Sequence, residues 1–144
     1  MPKIKKKSTE NKLHKTKRGG DCPKTPAFSF SYLTKNKKYN FDFFSDKSDK
    51  GTVLENLYYR LIEICNHNWL RLIQMPKEQG IETLSADQIC FEPANKKLMP
   101  DEKVIILRMK GYAKQDARII GIREDGCPIL HIIGFDFDFS AYKH

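Results

Sequence analysis

Arg118 and His131 are the two side chains of this sequence best suited to carrying out chemistry together. A histidine that titrates near pH 6.5 can take and give protons in neutral solution. An arginine beside it holds a phosphate through two parallel hydrogen bonds. Such a pair can position and cleave an RNA phosphodiester, or simply bind one. Adjacency follows if Asp125 and Gly126 form the turn of a hairpin, because Asp-Gly is a strong two-residue hairpin signal. Glu124 then faces Cys127, Ile122 faces Ile129, Ile120 faces His131 and Arg118 faces Ile133. In that register Arg118 and His131 are diagonal neighbours, with Cα atoms roughly 7–8 Å apart. A core histidine and a rim arginine paired with Asp116 or Glu124 would carry the same sequence pattern.

Further candidates flank this pair. Tyr142 and His144 stand at the end of the run Asp136-Phe-Asp-Phe-Ser-Ala-Tyr-Lys-His144 and contribute if the chain end folds back over the sheet. Asp136 and Asp138 share a strand face and offer oxygen ligands to a hard cation. No third carboxylate is placed beside them, so no metal is assigned. Arg108, Lys110, Lys114 and Arg123 surround the strand turns with Tyr112 interleaved. That spacing fits a phosphate-contacting rim with one stacking ring, and equally the charged protection of an exposed sheet edge. The sequence has no Gly-rich phosphate loop, Ser/His/Asp set or nucleotide fingerprint, and no cofactor is expected.

Charge separates the chain into two parts. Residues 1–25 hold eight Lys and one Arg against Glu10 and Asp21, a net of +7 out of +8 for the whole chain. Lys5, Lys6, Lys7, Lys15, Lys17 and Arg18 are the cations of this tail that would meet a nucleic-acid backbone, without sequence preference and in a salt-dependent way. The same composition also describes a disordered, solubilising terminus. The four cysteines, Cys22, Cys65, Cys90 and Cys127, form no CxxC, and the histidines form no HxxxH or HExxH. Neither a zinc site nor a disulfide framework is suggested, and Cys65 and Cys127 read as buried thiols of a reduced compartment. No apolar run approaches the roughly 18–20 residues of a membrane span, and the charged start has no secretory signal. A soluble, cytoplasmic protein is expected.

The elements that must position these residues can be read in order. Residues 1–26 are a basic tail, and 27–144 one domain of the α+β class. Phe28, Phe30 and Tyr32, then Tyr39, Phe41 and Phe43, alternate with polar residues across Thr34–Lys38, which predicts an aromatic N-terminal hairpin. Thr52 and Glu55 have capping-box spacing. After them Leu54, Leu57, Tyr58, Leu61 and Cys65 predict an amphipathic helix from Val53 to about Asn66, its stripe free of polar interruption. Trp69, Leu70, Leu72 and Ile73 predict a second short helix stopped by Pro76, with Trp69 as a core anchor. Ser85 and Gln88 could cap one helical turn. From Lys103 a three-strand meander follows, broken near residues 111–115 and at Asp125-Gly126. The expected architecture is a mostly antiparallel sheet with the helical pair on one face.

A small basic chain with a helical pair, an antiparallel meander and a His- and Tyr-bearing end is similar to the RelE/ParE-like bacterial toxins. The end of the chain also resembles a set of uncharacterised bacterial proteins ending in Arg, Gly, an apolar strand and Asp-x-Asp-His-x-x-Tyr. The matching positions are Arg118, Gly121, residues 129–135, Asp136, Asp138 and Tyr142; Phe139 stands where that pattern has histidine, with His144 nearby. The resemblance implies RNA or the ribosome, or a target protein, held on an open sheet face, cleavage without metal, and a cognate antitoxin protein as partner. In that reading Arg118 binds phosphate, His131 or His144 is the acid or base, and Tyr142 stacks or stabilises. The reading from another class is a non-catalytic binding module of a phage or mobile element, with the sheet face against a protein and the tail on nucleic acid.

Overall fold

The computed structural model describes residues 25–45, 49–111 and 115–143. Five strands form one mixed sheet in the order β1-β5-β4-β3-β2. The strands are β1 (Ala27–Ser29), β2 (Glu82–Ser85), β3 (Lys103–Lys110), β4 (Asp116–Ile122) and β5 (Ile129–Asp136). The meander β3-β4-β5 is antiparallel throughout, β2 adds antiparallel to β3, and β1 lies parallel to β5. Two helices, α1 (Lys50–Cys65) and α2 (Trp69–Gln74), lie on one face. The α+β class and the helical pair on one face are as the sequence predicts.

The N-terminal hairpin is not formed. β1 is only three residues long, and Tyr39, Phe41 and Phe43 belong to two short 3-10 turns, Lys37–Tyr39 and Phe41–Phe44. Asparagines decide this. The Asn36 side chain accepts from the Lys38 amide and the Asn40 side chain from the Asp42 amide, so each offers the backbone a local partner in place of a strand ladder. The aromatic rings still serve the core: Phe41, Phe43 and Phe44 pack around Phe135 and Phe137.

α1 starts earlier than the capping-box spacing suggests. Its N-cap is Asp49, which makes no side-chain cap bond, so Thr52 and Glu55 lie inside the helix. Its inward residues are Val53, Leu57, Arg60 and Ile64, a stripe rotated from the predicted one and interrupted by an arginine. Arg60 is tolerated there because its donors are used. Nε bonds the Arg108 carbonyl at 2.7 Å, Nη2 the Gln79 carbonyl at 2.8 Å, and Nη1 pairs with Glu63 at 3.3 Å. α2 is capped by Asn68, whose side chain accepts from the Arg71 amide, and Trp69 is buried, donating Nε1–H to the Pro128 carbonyl at 2.9 Å. The Ser85/Gln88 box caps the single turn Ala86–Gln88. Cys65 and Cys90 are exposed and Cys127 half-buried, all free thiols, so the reading of Cys65 and Cys127 as buried is corrected. Cys65 falls on the outer side of α1 because the inward stripe is the rotated one.

Both sheet faces are covered. Ile105, Leu107, Ile119, Leu130, Ile132 and Phe135 meet the helices. On the other side Val104, Ile106, Ile120, Ile122 and Ile133 lie under Tyr39, Ile89, Phe91, Ala141 and Tyr142. Each large aliphatic side chain withdrawn from water contributes roughly 1.5–3 kcal/mol, so two-sided burial makes the meander the stable centre. Among the described residues, no helix is long and apolar enough to cross a membrane.

Candidate functional site

The second sheet face holds the candidate side chains, and the β4–β5 register decides which of them meet. Asp125 and Gly126 do occupy the centre of the turn, where the Cys127 amide bonds the Glu124 carbonyl at 3.0 Å. Gly126 has φ 77, but Asp125 is not among the positive-φ residues. The turn is therefore not the type I′ form that continues two strands directly. Pro128 follows, and it cannot donate to a ladder; its carbonyl serves Ala27 and Trp69 instead. The ladder resumes with Ile122 opposite His131 and Gly121 opposite Ile132. An irregularity then shifts it, so that Ile120 faces Gly134 and Arg118 faces Asp136.

That bulge turns both Ile133 and Gly134 toward the second face. Gly134 is required: a Cβ there would lie 2.5 Å from the Phe91 ring. The consequence for the candidates is direct. Arg118 and His131 share a face but not a neighbourhood, because His131 is level with Ile122, four residues along β4 from Arg118, about 13 Å at strand rise.

Arg118 lies instead in a closed polar cluster. It is flanked across the sheet by Arg108 on β3 and Asp136 on β5. Asp136 is 1% exposed and Arg118 6% exposed. The segment after β5 folds back over them. Phe139 takes φ 58, an uncommon backbone state for a bulky residue, and its ring centroid lies 4.8 Å from the Arg118 guanidinium carbon. The Asp136 carboxylate accepts from the Ser140 amide at 3.0 Å, and the Ala141 carbonyl accepts from the Cys90 amide at 2.9 Å. Tyr142 is buried and hydrogen-bonds Arg118. Burial pushes its phenol above the ordinary value, with the nearby Arg118 charge offsetting part of that rise. Asp138 pairs with Lys38 at 3.7 Å and accepts from the Ser140 hydroxyl. Arg118 and Tyr142 are thus brought together, beneath the chain end rather than in solvent.

His131 lies at a cleft of about 370 Å³ lined by Tyr32, Lys96, Lys103 and Glu124 among others. The Tyr32 and His131 ring centroids are 4.9 Å apart, and the Lys96 ammonium lies 5.8 Å from the Tyr32 centroid. His131 Nδ1 is buried and makes no hydrogen bond. The ring is therefore not pinned to one tautomer by a partner at that nitrogen. Lys96, Lys103 and Arg123 are balanced around the cleft by Glu102, Glu124 and Asp125. The cleft can take an aromatic ring against Tyr32, an anionic group at the lysines and hydrogen-bond donors at the carboxylates.

The remaining candidates stand apart. Arg108 pairs with Glu78 at 3.9 Å, and Lys110 is exposed at the end of β3. Arg123 stacks on Trp69 with its carbon 4.4 Å from the ring centroid and donates to the Cys127 carbonyl at 3.0 Å. Lys5, Lys6, Lys7, Lys15, Lys17, Arg18, Tyr112, Lys114 and His144 lie outside the described residues. Sequence reasoning missed Tyr32, Lys96 and Lys103 as site residues. Tyr32 was hidden inside the aromatic alternation, while Lys96 and Lys103 sit in and after a loop that no local pattern ties to His131. No protein-family model, no curated protein and no solved structure matches the chain.

Proposed function

We propose that this is a toxin-like RNA-binding protein, with the cleft at Tyr32 and His131 as its RNA site and a cognate antitoxin protein neutralising it by covering that cleft. One observation carries the reading: a histidine packed against a tyrosine ring, with two lysines at the same cleft. Single-stranded RNA is recognised by stacking unpaired bases on aromatic rings and by cations at the backbone. Cleavage through the RNA's own 2′-hydroxyl needs a base, an acid and positive charge near the developing oxyanion. His131 takes the 2′-hydroxyl proton as the 2′-oxygen bonds to phosphorus. The bond to the 5′-oxygen breaks, and that oxygen takes a proton from water in the cleft. Lys96 and Lys103 supply the charge. Arg118, placed under the chain end, supports the fold in this scheme rather than touching phosphate.

The experiment is cleavage and binding of labelled single-stranded RNA by the full chain, wild type beside His131→Gln and Tyr32→Leu. Loss of cleavage in His131→Gln with binding kept, and weaker binding by about tenfold in Tyr32→Leu, is the expected result. Unchanged binding in Tyr32→Leu would end the assignment of the cleft. Induced expression in a bacterium should arrest growth with wild type and not with His131→Gln.

A non-catalytic binding module of a phage or mobile element is favoured by a different observation. Leu54, Tyr58 and Ile62 recur at four-residue spacing on the outer side of α1, all exposed, with Tyr59, Leu70 and Ile73 exposed beside them. Apolar surface of that kind marks a protein contact, and in this reading the basic tail meets nucleic acid. Removing residues 1–25 separates the two: nucleic-acid binding is abolished in the module and cleavage largely kept in the toxin.

A further inference from the structure

The cleft at His131 does not end at Lys96. A second cleft of about 510 Å³ lies beyond that lysine, with Ile89, Phe91 and Leu98 in its lining, Pro93 and Pro100 beside them, and Lys97 at hand. Lys96 lines both clefts. The two differ in chemistry. The first offers a tyrosine ring and a histidine among carboxylates and cations; the second has no histidine or tyrosine and offers Leu98, Pro93 and Pro100 among Asp87, Glu92 and two lysines. Both fall within the size range of small-molecule sites, roughly 300–1,000 Å³.

Resting on the RNA reading above, we infer that the two clefts together hold two consecutive nucleotides of a single strand, with Lys96 on the phosphate between them. The Lys96 ammonium lies 5.8 Å from the Tyr32 ring centroid. Tyr32 is half-buried, and a cation over a ring that still meets solvent is held by only about 0.5–1 kcal/mol, so a base can replace it against the ring while the amine moves to the phosphate joined to that base. Glu102, Glu124 and Asp125 lie at the first cleft, where carboxylates accept from the amino groups of guanine, adenine or cytosine. Uracil has no amino group to offer. The second cleft has the half-buried Leu98 and the prolines Pro93 and Pro100 for the neighbouring base, a contact that any base can make with its flat face.

Competition against a labelled single-stranded RNA tests this with the full chain, using adenosine monophosphate, the dinucleotide ApA and the dinucleotide UpU as competitors. ApA should compete about tenfold better than the mononucleotide, the gain of one additional stacked base, and better than UpU. Leu98→Ala should reduce the ApA advantage several-fold while leaving mononucleotide competition unchanged, whereas Tyr32→Leu should weaken both. Equal competition by mononucleotide and ApA, with Tyr32→Leu still damaging, would overturn the two-nucleotide assignment and keep the RNA site. Failure of the wild type to bind the labelled RNA at all would remove both. A Leu98→Ala chain that unfolds early is replaced by Lys97→Glu, whose exposed side chain carries no core contact, and the same loss of ApA advantage is expected. An advantage undiminished in Lys97→Glu overturns the assignment.

Discussion

Arg118 and His131 stand on the same face of the same sheet, on adjacent strands, and each has one buried nitrogen without a hydrogen-bond partner, but what covers them differs. Around Arg118 the chain closes: Asp136 and Arg108 flank it, Phe139 lies over it, and Tyr142 bonds it from the folded-back end. Around His131 a cleft remains, with one ring nitrogen unpartnered and a tyrosine alongside. A buried charge beside a buried carboxylate and under an aromatic ring is a structural commitment, because removing one charge leaves the other uncompensated. The His131 ring is only half-buried, at the edge of a cleft rather than beneath the chain end. The comparison teaches that the residue type most suggestive of phosphate binding is the one the fold consumes.

The difference can be broken or sharpened by substitution. The largest effect is expected at the closed cluster. Arg118→Leu strands the buried Asp136 carboxylate, and unfolding in urea should show a loss of about 3–5 kcal/mol. A loss under 1 kcal/mol would mean that Arg118 is not held as described. Next comes Gly134→Ala, whose added methyl meets the Phe91 ring and the Tyr39 carbonyl; overpacking there should cost about 1–3 kcal/mol. Phe91→Leu in the same chain should recover part of it, and a purely additive double mutant would deny the contact.

Tyr142→Phe follows, at about 1 kcal/mol for one hydrogen bond near neutral pH, with a distinctive pH signature. Burial raises the Tyr142 phenol above its ordinary value of 10.0 in the folded state. The unfolded chain therefore loses that proton first. Stability is fully present below pH 10.0, falls as pH rises past it and is lost through the folded value. Tyr39, also raised by burial, contributes in the same direction. Thermal melts from pH 9 upward should fall less steeply in Tyr142→Phe than in wild type; parallel slopes would contradict the buried phenol. The smallest stability effect is expected at the cleft. His131→Gln, at a half-buried ring packed on Tyr32, should change unfolding by about 1 kcal/mol or less, while RNA cleavage is lost. A large destabilisation would make His131 another structural residue and erase the contrast with Arg118.

Much of the architecture was legible because it depends on local pattern. The isoleucine runs of the meander, the Trp69–Gln74 helix before Pro76, and the Ser85/Gln88 cap each follow from neighbours in sequence. The aromatic alternation at residues 28–43 misled because two asparagine side chains captured backbone amides, and propensity alone does not weigh that competition. α1 was legible as a helix, but its inward stripe was not, since Leu54-Tyr58-Leu61 and Val53-Leu57-Ile64 are both apolar series on one helix.

What the sequence by itself determined is the set of elements and the chemistry available: a β-rich meander, two helices, and Arg118, His131 and Tyr142 as its notable side chains. What only the tertiary structure decided is which of these meet. A turn with Asp125 outside the positive-φ region, a proline unable to donate and a bulge at residues 133–134 moved β5 along β4. That shift set Arg118 opposite Asp136 and His131 opposite Ile122. Strand register is a property of two chain segments at once, and packing against Phe91, Tyr39 and the returning C-terminal segment, distant in sequence, selects it.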